Sequence, residues 1–129
     1  MKKINDLENL AKKYRRDIFE KMLLIKQGHL GSIFSMMEIV VTLYHAGFVR
    51  FDEKNKNFID KVLISQGHAT AALYPILKDF GVIPETEWNN WGHKHSLLRV
   101  FGNTSIPGID VTSGSLGHCI GVGAGMGVS

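Results

Sequence analysis

The run Lys61-Val62-Leu63-Ile64-Ser65 constrains the fold of this chain more than any other stretch. It is short, apolar and rich in β-branched residues, the pattern of a strand. It does not alternate, so both of its faces expect cover, and helical patterns flank it. Such a strand belongs to a parallel α/β sheet with helices on both faces. Gln66-Gly67-His68 then turns the chain at the strand's carboxyl end. A helix is predicted from Ala69 to Phe80, stopped by Gly81 and kinked by Pro75.

Upstream, residues 5–27 read as one helix. Leu7, Leu10, Tyr14, Ile18, Met22 and Ile25 recur at three- and four-residue steps and make an apolar stripe. Asn5 or Asp6 is expected to cap its start and Gly28 to end it. After a loop over 28–34, Ser35-Met36-Met37-Glu38 has the form of a capping box. It opens a largely buried helix to about Ala46, stopped by Gly47. Residues 51–60 are polar and aperiodic, a surface loop. Pro84 with Glu85 and Glu87 marks a short helix start. Residues 92–115 are mainly loop, and loops this long are usually functional. Ser115 to Ser129 reads as a helix despite Gly117, Gly121, Gly123, Gly125 and Gly127, whose use is to let another backbone approach closely.

The 129 residues amount to about one domain, and 44% hydrophobic with 21% charged residues exclude disorder. No apolar run is long enough to span a membrane, and the charged start is no signal peptide. Cys119 is the single cysteine, which forbids an internal disulfide and points to a reducing cytoplasm. Net charge is +3. The basic residues from Lys12 to Lys26 alternate with Asp17 and Glu20, so they read as a solvated helix face rather than a nucleic-acid surface. One strand, with a second candidate at Ile109 to Thr112, is too little for a sheet. The chain therefore reads as α/β, the helix-rich front part of a larger domain with an incomplete parallel sheet.

Ligands of open α/β sheets bind at the carboxyl ends of strands, where His68 falls. It precedes a helix start whose free N–H groups favour an anion. His29 lies between Gly28 and Gly31, which allow close approach of a ligand. Taken singly, each histidine reads more simply as a capping or satisfied core residue. Gly114-Ser115-Leu116-Gly117 has the composition of a phosphate cradle, but it is neither a dinucleotide fingerprint nor a P-loop. His93 and His95 lack the further ligands a metal needs. His45 is placed to meet a helix C-terminus. His118 is ambiguous, and Asp110 and Cys119 have no catalytic partner.

Taken together and in order, three motifs are specific. Gly28-His29-Leu30-Gly31-Ser32, Ser65-Gln66-Gly67-His68-Ala69-Thr70-Ala71-Ala72-Leu73-Tyr74 and Pro107 to His118 strongly resemble the N-terminal region of transketolases, over nearly the whole chain from residue 5. The resemblance implies a thiamine diphosphate-binding domain that works with a divalent metal such as Mg²⁺. It implies transfer of a two-carbon ketol unit between sugar phosphates, as in the pentose phosphate pathway, in a dimeric cytoplasmic assembly. His29 would lie at the thiazolium and the substrate's reacting end. His68 and the bend of Gly114, Ser115 and Leu116 would contact the cofactor. Where the family has Gly-His-Pro, this chain has Gly102-Asn103-Thr104, so Asn103 would meet the substrate without shuttling a proton. The family's Gly-Asp-Gly metal motif follows the last helix and is not in these residues, so the metal ligands are expected outside them. The expectation is a partial domain over 1–129, completed by a C-terminal transketolase subunit or domain and inactive alone. The competing readings are a non-catalytic fragment or interaction module, and a related thiamine-diphosphate synthase.

Overall fold

The computed structural model describes residues 3–128. In chain order they form α1 (Ile4–Ile25), α2 (Leu30–Ser35), α3 (Met37–His45), β1 (Phe51–Asp52), β2 (Asn57–Phe58), a 3₁₀ helix (Gly67–Leu73), α4 (Tyr74–Asp79), α5 (Glu85–Asn90) and α6 (His118–Val128). The apolar stripe of α1 points inward as its spacing predicts: Tyr14 and Ile18 are fully buried, Met22 nearly so, and Leu7, Leu10 and Ile25 pack at the margin. Its ends differ from expectation. Lys3 occupies the N-cap without a side-chain bond, and the turn closes at Lys26, in the left-handed region at φ 53°, with its N–H on the Met22 carbonyl. Gly28 is still favoured, because its φ of 130° is one that residues with a side chain rarely adopt.

The capping box does not form. Residues 30–35 are already helical, and the Ser35 hydroxyl donates to the Ser32 carbonyl at 2.8 Å. Glu38 is engaged by Arg15 of α1, whose guanidinium forks onto the carboxylate and also donates to the Phe34 carbonyl at 2.6 Å. That fork holds the Glu38 carboxyl below its ordinary value. A charge-assisted bond between helices outcompetes a local cap.

The predicted surface loop at 51–60 contains an antiparallel hairpin, pairing Phe51 with Phe58 and Asp52 with Asn57. The Asp52 carboxylate accepts the N–H groups of Lys54 and Asn55, closing the turn. Phe51, Phe58, Phe80 and Tyr44 stack with ring centroids 4.8–5.2 Å apart, so the hairpin is anchored by its aromatic ends. This two-stranded antiparallel sheet is the one among the described residues. The 61–65 run has no ladder partner there, and a strand without a neighbour has nothing to bond its backbone to.

The predicted helix over 69–80 is two helices. Gly67–Leu73 winds as 3₁₀, and Pro75 sits in the first turn of α4 rather than kinking one long helix. A proline ring clashes with the carbonyl four residues before it, so an α-helix can start at Pro75 but not run through it. Small residues at 69, 71 and 72 let the 3₁₀ segment pass through the core, where it is buried almost throughout. The long loop that follows is pegged by buried Trp91, Leu98 and Ile106, and by the Tyr74 hydroxyl donating to the Arg99 carbonyl at 2.8 Å. α6 is helical as expected. The close backbone approach expected of its glycines is not made by the described residues: a Cβ at Gly121, Gly125 or Gly127 would meet nothing within 4 Å. No helix among the described residues is long and apolar enough to cross a membrane.

Candidate functional site

The turn after Lys61–Ser65 and the stretch 108–118 are pressed together. The Lys61 ammonium pairs with the Asp110 carboxylate at 2.7 Å. Six residues on, a Cβ at Gly67 would lie 2.2 Å from the Ser113 carbonyl oxygen, so only a glycine lets the two backbones meet. The Ser65 hydroxyl accepts the N–H of Gly117 at 2.7 Å and that of Cys119 at 3.4 Å. It thus caps the start of α6 from a distant part of the chain, satisfying N–H groups that a helix leaves open.

This seam carries the predicted bend. Gly114, Ser115 and Leu116 are exposed, and their N–H groups make no hydrogen bond among the described residues. Three free amides on one bend suit the oxygens of a phosphate, which they can bind without a cationic side chain. Beside the seam, half-buried His68 is the second residue of the 3₁₀ helix. α2 packs on this helix and sets exposed His29, its N-cap residue, edge-on to His68 with ring centroids 5.4 Å apart. The two histidines predicted from separate motifs therefore share one cleft.

The loop bearing Asn103 is tied to the same place. Gly102 packs on the Thr70 methyl and on Ile109, and the Thr104 N–H donates to the Thr112 hydroxyl at 3.1 Å. The Asn103 side chain is turned to its own loop: Oδ1 accepts the Ser105 N–H at 2.9 Å. Phe101 lies against His29 instead, with centroids 5.9 Å apart.

The other histidines lie elsewhere. His93 and His95 are exposed in the turns after α5, and His118 is the first residue of α6. His45 ends α3 as predicted, but its main contact is lateral: Nε2 is 2.8 Å from the Tyr14 hydroxyl, which donates to Asp79 at 2.6 Å. Burial, with Asp79 adding to it, pushes the Tyr14 phenol well above its ordinary value. Asp110 serves Lys61, and Cys119 is buried. Among the described residues no group of three or more His, Cys, Asp or Glu side chains converges as a metal site. A surface cavity of about 710 Å³ lies between α3, the hairpin and α4, lined by Tyr44, His45, Arg50, Phe51 and Asp79. It contains neither His29 nor His68 nor the bend, and convergent chemistry rather than volume locates the candidate site. Sequence reasoning gave no role to Ser65, Lys61 or Phe101. Ser65 alone carried a signal, as the hydroxyl residue closing an apolar run.

A family model described as transketolase, thiamine diphosphate binding domain, matches residues 8–129. The chain is 32% identical over 124 residues to a subunit of the apulose-4-phosphate transketolase of Phocaeicola vulgatus, covering 95% of this chain and 44% of that protein. It is 28% identical to a 6-deoxy-6-sulfo-D-fructose transketolase subunit of Clostridium sp., covering 94% and 45%. It is 29% identical to a transketolase of Pongo abelii, covering 96% and 20%. The chain thus spans less than half the length of these relatives.

Proposed function

The chain belongs to the family of transketolase thiamine diphosphate-binding domains, and on that premise we propose that it supplies the diphosphate-binding wall of an enzyme transferring a two-carbon ketol unit between sugar phosphates. The observation that carries the proposal is the convergence of His29 and His68 beside a bend with three free amides. The amides of Gly114, Ser115 and Leu116 would receive diphosphate oxygens, and His68 would donate an N–H to another. Ser65 and Gly67 hold that bend against the 3₁₀ helix. His29, more exposed, would hold or move a proton at the substrate's carbonyl oxygen, work suited to an imidazole near neutral pH. When bound, the cofactor supplies a carbanion and an electron sink. No step is routed through Mg²⁺, because no cluster among the described residues fits it.

The relatives named as subunits support a partner chain that completes the site; a dimeric, cytoplasmic assembly is part of the same proposal. In that assembly the 61–65 run would be a strand of a parallel sheet. A second reading, an interaction module, is favoured by the apolar face of α6, where Ile120 is 79% and Val128 90% exposed.

Calorimetric titration with thiamine diphosphate and Mg²⁺ separates the two. Binding is expected, weakened about tenfold or more by His68→Ala, the loss of one hydrogen bond to a charged group. Ketol transfer is expected only with the partner chain present. No detectable binding at millimolar cofactor would defeat the proposal, and turnover by these residues alone would defeat its partner clause.

A further inference from the structure

Asn103 stands where the family's substrate-contacting histidine would be, yet its side-chain oxygen closes a turn onto the Ser105 N–H. The loop around it is fixed on both sides. Leu98 and Ile106 are fully buried, the Arg99 carbonyl is held by the Tyr74 hydroxyl, and Gly102 has no room for a Cβ beside Thr70. With Gly102 seated there, its neighbour Phe101 is delivered to His29, tilted 57° to that ring. His68, His29 and Phe101 form a row of three rings. Phe101 is 47% exposed and lies outside the apolar core, so the fold does not explain its size.

We infer that Phe101, and not Asn103, is the side chain through which this loop meets the substrate, its ring forming an apolar wall beside His29 that receives the carbon–hydrogen face of the sugar chain. The inference rests on the function proposed above. A sugar has a polar edge of hydroxyls and apolar patches of C–H. An aromatic face packs on the second while an imidazole serves the first. A hydroxyl aimed at the ring would lose its water and gain no partner, a net cost. The site therefore prefers a sugar phosphate that turns C–H bonds, and not a hydroxyl, toward residue 101. Phe101 also limits how far the His29 ring can turn, so it acts as a specificity and positioning residue.

Two readouts test this. In the active assembly, Phe101→Ala is expected to raise the KM for the sugar phosphate about tenfold with a smaller change in kcat, within the range for losing an apolar contact. Phe101→Tyr, which keeps the ring, should restore most of the wild-type KM. In saturation-transfer NMR with ribose 5-phosphate, the wild-type chain should mark the sugar C–H protons, and Phe101→Ala should weaken that mark severalfold at equal protein concentration. Since residue 101 is half exposed, the alanine variant is expected to fold. An unchanged KM in an active Phe101→Ala enzyme, or an NMR signal undiminished by the substitution, overturns the inference. Absence of cofactor binding by the wild type would defeat the proposed function instead, and the NMR contact is scored without cofactor.

Discussion

At the residue scale, the Tyr14 hydroxyl ties α1 to both α3 and α4. It lies between His45 and Asp79 on a fully buried ring. Tyr14→Phe removes the hydroxyl's hydrogen bonds to Asp79 and His45 and is expected to cost about 1–3 kcal/mol, read as a lower urea midpoint. Burial raises the phenols of Tyr14, Tyr44 and Tyr74 above the ordinary value of 10.0. The folded state therefore favours the neutral phenol. That contribution is complete below about pH 10 and is lost as pH climbs toward the folded values. The urea midpoint should hold steady from about pH 7 to 9 and fall above about 10, less steeply in Tyr14→Phe. A midpoint indifferent to alkaline pH would contradict this. Tyr14 was legible as a stripe residue, but its bond to Asp79, 65 positions away, was not. Hydrophobic period reports which face is buried and says nothing of which polar groups meet there.

At the element scale, α1 and α5 were legible because their signals are local: an apolar repeat in one, Pro84 followed by acids in the other. The 61–65 run is the opposite case. Its residues prefer extended backbone, but a strand exists only with a neighbour, and that is a property of distant chain. The 3₁₀ segment was hidden because Gly-His-Ala-Thr-Ala-Ala-Leu fits an α-helix equally well until Pro75 is weighed. α6 depends on a cap from outside itself, the Ser65 hydroxyl. Ser65→Ala should cost about 1 kcal/mol, the usual loss for a capping oxygen. Thermal unfolding by circular dichroism measures it, and Ser65→Thr should recover part of it. Equal stability of Ser65→Ala and wild type would show that the cap contributes nothing.

At the scale of the whole molecule, order did what no single motif could. Gly-His pairs at 28 and 67 and the bend at 114 are each common, but the fold brings the first two into one cleft and presses the third against its edge. Two parts of the site stayed illegible. Phe101 is a lone aromatic in a loop, and the side-chain bond that turns Asn103 away is a tertiary choice. The close meeting of Gly67 with the Ser113 carbonyl has a consequence for how this sequence can vary. In a saturation library sorted for thermal stability, position 67 should return glycine alone, because alanine would push backbone into backbone and cost about 1–3 kcal/mol. Alanine at Gly121, Gly125 or Gly127, which face open space, should be enriched instead, each adding up to about 1 kcal/mol of helix propensity. Of these four glycines one would prove immovable and three replaceable, and the immovable one lies on the seam that positions the bend.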